Sequence, residues 1–131
     1  ARGFGRIVNI TSAMVKAPRP HQGLSTSART GLTAFSKAMS LEAAADNVTI
    51  NNLLPERFDT DRQRVMAERM MKLQGITREQ ARTQIAESIA AKRFGRPNEF
   101  GDTCAFLCSV HAGYMTGQNI LLDGGHYPGT F

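Results

Sequence analysis

The sequence from Gly5 to Lys37 reads GRIVNITSAMVKAPRPHQGLSTSARTGLTAFSK, and its succession of patterns predicts the centre of the fold. Residues Arg6 to Thr11 form an apolar, β-branched run that ends at the hydroxyl of Ser12, as expected of a strand covered on both faces. The next twelve residues include two prolines and a glycine and therefore form a loop. Helix-forming residues begin at Ser25, so we expect a strand, a site-bearing loop and a helix.

The segment Ser25–Ala45 is predicted to be helical because strong helix formers dominate it. Leu32, Phe35 and Met39 recur at helical spacing, and we expect that face to pack on the sheet. After the helix, the run VTINNLL from Val48 to Leu54 predicts the next strand. Two parallel strands joined by a helix form a βαβ crossover.

The rest of the chain predicts three further helices and a last strand. Two helices are expected at Asp61–Leu73 and Thr77–Ala91, and a capping box opens the second. The third runs from Pro97 to about Val110, and Tyr114–Asp123 supplies the strand with its closing turn. The residues expected to face inward from the third helix are Phe100, Ala105, Phe106 and either Cys104 or Cys108.

Composition narrows the classes of function. Sixteen Lys and Arg stand against eleven Asp and Glu, but the basic residues are scattered, which argues against nucleic-acid binding. No apolar run approaches the roughly 20 residues that span a bilayer, so no membrane partner is expected. Cys104 and Cys108 lie four residues apart, which predicts two buried free thiols and no metal site. The expected localisation is cytoplasmic.

The order of these patterns resembles the second half of a short-chain dehydrogenase/reductase, the Rossmann-type family that includes the 3-oxoacyl-carrier-protein reductases. In that family, a Ser at a strand end is followed 13 residues later by a Tyr-x-x-x-Lys motif. The same spacing from Ser12 leads to Ser25, and four residues further stands Arg29. Ser-x-x-x-Arg therefore replaces Tyr-x-x-x-Lys. The register of the family pattern continues at Gly31, Leu32 and Lys37.

The resemblance implies an α/β fold, the C-terminal half of a doubly wound, Rossmann-type parallel sheet in the order β-α-β-αα-α-β, with helices on both faces. Residues 1–131 are then part of a single reductase domain, with lid-like helices at about 61–91. The Gly-rich turn that holds a cofactor pyrophosphate is expected upstream, because no G-x-G-x-x-G stands here. Three strands alone would leave the first as an unpaired edge.

The resemblance also implies a catalytic set, in which Ser12 steadies the substrate oxygen while Ser25 and Arg29 stand where the family has its proton donor and its Lys. An aliphatic hydroxyl is a far weaker acid than a phenol, so Ser25 is not expected to donate the proton. Arg29 keeps a positive charge near the nicotinamide ribose, but its pKa is too high for a proton relay.

A second set of residues is implied for cofactor binding. The segment PERFDTD follows the second strand, where the family has Pro-Gly-x-x-x-Thr at the nicotinamide. Pro55 and Thr60 match, Phe58 lies between them, and Glu56 replaces the Gly. That replacement removes a residue that tolerates positive φ and adds a negative charge. The implied cofactor is NAD or NADP, and the residue that selects between them lies upstream.

The function implied by the resemblance is NAD(P)-dependent reduction of a carbonyl, as a 3-oxoacyl thioester or ketone, to an alcohol at an atypical site. The alternative is a catalytically inactive homologue that binds cofactor or acts as a scaffold. In a third interpretation, Ser12 has no chemical role and merely ends a strand. The implied partners are a small carbonyl or alcohol substrate and further copies of the chain, in a homodimer or homotetramer. The resemblance implies that a row of small residues forms the subunit interface, and the alternative is that this row packs within the chain: Ser27, Gly31, Ala34 and Ala38.

Two groups of side chains each have two interpretations, one functional and one structural. Basic residues of the loop after the first strand could contact an acidic substrate group, such as a phosphopantetheine phosphate, or only solvent: Lys16, Arg19 and His21. Methionines of the first lid-like helix could contact substrate or fill core: Met66, Met70 and Met71.

Overall fold

The computed structural model describes residues 3–130 and contains a parallel, three-stranded sheet. The strands are β1 (Gly5–Ile10), β2 (Val48–Pro55) and β3 (Asn119–Leu122), paired in that order. The helices are α1 (Gly23–Ala43), α2 (Asp61–Gln74), α3 (Arg78–Glu87) and α4 (Pro97–Cys108). Short 3-10 turns occupy Ala13–Val15, Ala44–Asp46 and Val110–Ala112. The predicted α/β class and the order β-α-β-αα-α-β are confirmed.

The helices α1 and α4 cover opposite faces of the sheet. Asn9 on β1 donates from Nδ2 to Ser36 Oγ of α1 at 2.9 Å and to Asn52 Oδ1 of β2 at 3.2 Å. The next residue of β2, Leu53, packs instead with Leu107 of α4. Because successive side chains of a strand point to opposite faces, the two helices lie on different sides of the sheet. The prediction of helices on both faces is therefore confirmed.

The central strand, β2, is buried from Thr49 to Leu54. Two of its buried side chains are polar and find partners beside the strand. Asn51 Nδ2 donates to the Met115 carbonyl at 2.7 Å, and Asn52 Nδ2 donates to Asn119 Oδ1 at 2.9 Å. Because these amides are hydrogen-bonded, their burial avoids the penalty of an unsatisfied polar group. The strand therefore holds the segment that follows it, from Pro55 onward, in a defined place.

The first strand, β1, lies at an edge of the sheet. It pairs only with β2 among the described residues, and Ile7 and Ile10 remain 47% and 61% exposed. The expectation that β1 is covered on both faces is wrong for these residues. The expectation that three strands leave the first one as an unpaired edge is confirmed.

The face of α1 that packs on the sheet is polar and small, and it consists of Thr26, Thr33, Ser36 and Ser40. Their hydroxyls are largely satisfied within the helix; Thr33 Oγ1, for example, donates to the Arg29 carbonyl at 2.8 Å. Leu32 and Phe35 point outward and are 41% and 63% exposed, and the prediction that they pack on the sheet is wrong. Helical spacing identifies an apolar face but not the surface that covers it.

The α2–α3 pair has its own small core of Ala67, Ala81 and Ile85. Met70 and Met71 pack against that core, whereas Met66 lines a cleft described below. The predicted capping box at α3 is confirmed, because the Gln80 amide donates to Thr77 Oγ1 and the Thr77 amide donates to Gln80 Oε1. This box fixes where α3 begins.

The helix α4 contributes Leu107 to the main core, with Phe100 and Cys104 partly buried beside it. Ala105 and Phe106 are exposed, so the prediction that they face inward is wrong. The prediction of two buried thiols is also wrong, since Cys104 is half-buried and Cys108 is exposed. Partial burial raises the pKa of the Cys104 thiol, and the neighbouring Cys108 raises it further. Among residues 3–130, none of the helices has both the length and the apolar character needed to cross a membrane.

Candidate active site

The carboxyl ends of β1 and β2 deliver two segments to the same edge of the sheet. Ser12 follows β1 and caps the short 3-10 turn Ala13–Val15, where its Oγ accepts a hydrogen bond from the Met14 amide at 3.3 Å. The segment that begins at Pro55, the last residue of β2, leaves the second strand. In parallel sheets this edge is where ligands bind, because the loops that leave the strand ends enclose a crevice there.

Ser25 and Arg29 lie one turn apart near the start of α1, and their side chains are in contact. Arg29 Nη1 donates to the Ser25 carbonyl at 3.2 Å and also to Ser25 Oγ. Both residues line an open cavity of about 640 Å³. Its other lining residues are Met14, His21, Gln22, Leu24 and Arg62. A serine hydroxyl therefore stands beside a fixed positive charge at the edge where β1 ends.

Ser12 is near this pair in the fold but is not joined to it by hydrogen bonds. Within residues 3–130 its Oγ bonds the Met14 amide and neither Ser25 nor Arg29. Met14, two residues further along the same turn, lines the cavity. The structure thus brings together two of the three catalytic residues predicted from sequence, Ser25 and Arg29, and Ser12 does not line their cavity.

A second cavity of about 370 Å³ lies between the loop after β1 and the start of α2. Besides Arg29, four residues are predicted from the sequence to bind the cofactor. All four line this cavity: Pro55, Glu56, Phe58 and Thr60. Much of its remaining wall is apolar and consists of Ile10, Met14, Met66, Pro97 and Phe100. The rings of Phe58 and Phe100 meet edge to face at 5.5 Å between centroids, which stabilises this wall. We call this cavity the cleft.

The carboxylate of Glu56 is paired with two guanidinium groups in the wall of the cleft. Its Oε1 lies 3.1 Å from Arg19 Nη2 and 3.1 Å from Arg57 Nε. Burial lowers the pKa of Arg57, and the charge of Glu56 opposes that shift. Two guanidinium groups therefore outnumber the carboxylate of Glu56, which is expected from the sequence to add a negative charge at this position, and the cluster carries a net positive charge.

The backbone at Glu56 does not need the conformational freedom of the Gly that it replaces. The residue of this segment with positive φ is Arg57, at 59°, whereas Glu56 is not in that region. The Glu56 amide donates to the Leu122 carbonyl at 3.0 Å, which continues the pairing of β2 with β3. The left-handed conformation, and its strain for a non-glycine residue, therefore fall on Arg57.

Thr60 caps α2 by its backbone but not by its side chain. Its Oγ1 donates to the Phe58 carbonyl at 3.4 Å and accepts no bond from the first amides of the helix. The positive end of the α2 dipole therefore faces the cleft without a side-chain cap.

The sequence analysis missed the contact between the C-terminal segment and the loop after β1. His126 Nε2 lies 3.2 Å from Arg19 Nη2, and the Tyr127 ring lies 5.9 Å from Lys16 Nζ. The segment is held by Asp123, whose Oδ2 accepts a bond from the Tyr127 amide at 2.7 Å. Local sequence contains no signal for a contact that spans more than a hundred residues. The sequence analysis also missed Arg62, which lines both cavities.

Comparisons with known proteins identify the family of the chain. Residues 1–127 match the family model described as Enoyl-(Acyl carrier protein) reductase. The chain belongs to the short-chain dehydrogenase/reductase family. It is 38% identical over 122 residues to the NADPH-dependent reductase BacG of Bacillus subtilis, covering 93% of this chain and 47% of that protein. It is 34% identical over 128 residues to the acetoacetyl-CoA reductase of Cupriavidus necator, covering 98% and 48%.

Solved structures show the same fold. The reductase YwfH, described as NADPH dependent and involved in bacilysin biosynthesis, superposes with a TM-score of 0.88 at 36% identity and covers 97% of this chain and 48% of that one. Actinorhodin polyketide ketoreductase, solved with NADPH, superposes with a TM-score of 0.87 at 29% identity, covering 95% and 48%. The chain spans about half the length of the relatives it matches.

Proposed function

We propose that the protein reduces a carbonyl to an alcohol with NADPH or NADH, as a short-chain reductase in which Ser25 and Arg29 replace the family's Tyr and Lys. The observation that carries the proposal is the contact between Arg29 Nη1 and Ser25 in a cavity at the carboxyl edge of β1. Family membership and relatives that are named reductases support it.

The cleft fits the nicotinamide end of such a cofactor. Pro55, Glu56, Phe58 and Thr60 line a space of about 370 Å³, and the paired charge of Glu56 leaves the wall able to accept a neutral carboxamide. When bound, the cofactor supplies a hydride to the carbonyl carbon. The protein's own task is then to orient the carbonyl and to stabilise the negative charge that develops on its oxygen.

The proposed division of labour follows from the acid strength of each group. Arg29 stabilises the alkoxide electrostatically, and the hydroxyls of Ser25 and Ser12 donate hydrogen bonds to the same oxygen. None of the three is a competent acid near neutral pH, because a serine hydroxyl and a guanidinium both hold their protons. The proton that completes the alcohol therefore comes from water in the open cavity, and the hydroxide left behind is neutralised by solvent.

The second candidate is a non-catalytic homologue that binds cofactor or acts as a scaffold. The observation that favours it is the direct bond between Arg29 and Ser25 Oγ, because the two replaced groups satisfy each other without a substrate. The cluster of Arg19, Glu56 and Arg57 is likewise satisfied as a structural ion-pair network.

Oxidation of NADPH and NADH by the complete protein that carries this chain, measured spectrophotometrically with 3-oxoacyl thioesters and simple ketones, separates the two candidates. We expect substrate-dependent oxidation that falls at least about tenfold in Arg29→Gln, since loss of one charge-stabilising group costs roughly 1.5–3 kcal/mol. Arg69→Gln, which removes the same charge from α2 away from both cavities, is the control. Cofactor binding without turnover of any of these substrates would favour the non-catalytic homologue.

A further inference from the structure

The two cavities at the edge of the sheet adjoin each other, because they share three lining residues, Met14, Gln22 and Arg62. We call this shared boundary the seam. Together the two cavities are lined by four arginines, namely Arg19, Arg29, Arg57 and Arg62, whereas Glu56 is the one carboxylate among the lining residues of the two. A concave surface with this excess of guanidinium groups attracts an anion.

Arg62 differs from the other three arginines in having no protein partner among residues 3–130. Arg19 and Arg57 share Glu56, and Arg29 bonds Ser25. Arg62 stands in the first turn of α2, next to amides that Thr60 leaves without a side-chain cap. Its guanidinium is therefore free to make a bidentate contact with a planar anion, and the helix dipole favours negative charge at the same place.

Buried polar atoms in the cleft also call for a ligand. Gln63 is 7% exposed, yet its Oε1 has no hydrogen-bond partner, and the buried Oε1 of Gln22 also has none. Both residues line the cleft. Leaving such groups unsatisfied costs about 1–3 kcal/mol each, so the wall is suited to a molecule that donates hydrogen bonds.

We propose that the seam binds the carboxylate of a small oxo acid, with Arg62 as its ion-pair partner and the carbonyl to be reduced beside Ser25 and Arg29. This proposal rests on the proposed reductase function and names its substrate class. The hydroxyl formed by reduction can donate one hydrogen bond to Gln22 Oε1, because Gln22 lines the same cavity as Ser25 and Arg29. The apolar side chains of Met14 and Leu24 contact the hydrocarbon part of the molecule in the larger cavity, while the cleft holds the nicotinamide.

The position of Arg62 favours a carboxylate over the phosphate of a phosphopantetheine arm. Arg62 and Ser25 line the same cavity, so an anion beside Arg62 and a carbonyl beside Ser25 can belong to one small molecule. In a 3-oxoacyl thioester the phosphate lies at the far end of a long arm, whereas in an oxo acid the carboxylate is next to the carbonyl or close to it. A flat carboxylate also matches the fork of a guanidinium.

The first experiment compares 2-oxo-4-phenylbutanoate with its methyl ester as substrates of the complete protein. We expect kcat/KM to favour the acid by at least about tenfold, the effect of one charge-assisted hydrogen-bonded pair. Arg62→Gln should abolish the preference. The control Arg69→Gln, which removes an exposed charge from the same helix outside both cavities, should retain it. Equal kcat/KM for the acid and the ester would overturn the proposal, and so would the same preference in Arg62→Gln and Arg69→Gln. Either result would leave the reductase function standing.

A binding experiment decides the case in which no substrate is reduced. Calorimetry with 2-hydroxy-4-phenylbutanoate and its methyl ester requires no turnover. Tighter binding of the acid that Arg62→Gln weakens and Arg69→Gln does not would support the carboxylate site while the reductase function failed. Equal binding of acid and ester would overturn the site. An Arg62-dependent preference for 3-oxobutanoyl-CoA over the oxo acid would also overturn it, by assigning the charge to the phosphates of the arm.

Discussion

The strands β1 and β2 lie side by side in the same sheet and end at the same site, yet they are covered very differently. Residues Thr49–Leu54 of β2 are all buried, because the strand has a neighbour on each side and a helix on each face. β1 is just as apolar, but Ile7 and Ile10 are about half exposed. An apolar run shows that a strand is suited to be covered, and only its neighbours determine whether it is.

The helix α1 repeats this contrast between its two faces. Small hydroxylated side chains such as Ser36 and Ser40 pack on the sheet, while Leu24, Phe35 and Leu41 are 90%, 63% and 69% exposed. Exposed β1 and the outer face of α1 adjoin the turn that holds Ser12 and the pair of Ser25 and Arg29. The proposed catalytic residues thus lie on the less covered side of the molecule.

The largest effect is expected at the site on the less covered side. If the backbone there keeps the geometry of a reductase, Ser25→Tyr with Arg29→Lys restores a general acid and should raise the rate of ketone reduction roughly 10²- to 10⁴-fold. Arg29→Lys alone should change little, because no phenol is present whose pKa the lysine could lower.

The control for this gain is a triple variant that adds Ser12→Ala, in which we expect the gain to vanish. Both variants are assayed in the complete protein with NADPH and NADH. No gain in the double variant, with cofactor binding and the circular dichroism spectrum retained, contradicts the idea that the site lacks only its proton donor.

The difference in burial between β2 and β1 predicts the next largest effect, which is on the free energy of unfolding. Leu53→Ala should lower the free energy of unfolding by about 2–5 kcal/mol, because Leu53 is fully buried against Leu107. Ile10→Ala should cost less than about 0.5 kcal/mol in the 131-residue chain, because its side chain is already exposed. Urea unfolding followed by circular dichroism measures both. Equal losses in this chain would show that β1 is covered in solution. A larger loss for Ile10→Ala in the complete protein would show what the rest of that protein covers.

A substitution on the outer face of α1 is expected to have a smaller effect, on the assembly of the protein. Gly31 lies in the exposed row of small residues, and a side chain added there meets nothing within 4 Å. If a second copy of the chain packs on this row, Gly31→Leu overpacks the contact by about 1–3 kcal/mol and shifts the complete protein toward monomer. Gly101→Leu on α4, where an added side chain also meets nothing within 4 Å, is the matched control. An unchanged mass for Gly31→Leu by light scattering would mean that another surface covers this face.

The smallest effect is expected at Glu99, a partly exposed residue outside both regions. Hydrogen bonds from Arg93 and then from the Arg96 amide lower the pKa of Glu99 from its ordinary value of 4.5 to about 2. Its stabilising contribution is therefore complete above pH 4.5 and is lost as the pH falls through about 2.

Glu99→Gln tests this contribution by removing the charge at every pH. The difference in unfolding free energy between the wild type and this variant should close as the pH falls from about 5 to about 2. A difference that stays constant across that range in urea titrations would show that the carboxylate charge does not stabilise α4.

Local patterns predicted the elements well because the relevant forces act over a few residues. β1 and β2 each fall within one residue of their predicted ends, and the capping box of α3 forms as expected. The contact of Ser25 with Arg29 was also predictable, since residues four apart on a helix are neighbours. Glu56 and Arg19 are 37 residues apart, and no local rule connects them.

The α/β order, the crossover and the changed residues at positions 25, 29 and 56 follow from the sequence, because periodicity and residue type are properties of short segments. Three matters needed the tertiary structure: which face of α1 meets the sheet, which partners neutralise Glu56, and which surface Arg62 faces. Each depends on distances between segments far apart in the chain. Such distances are set by the packing of whole helices and strands, because that packing determines which side chains are desolvated and which charges come close enough to pair.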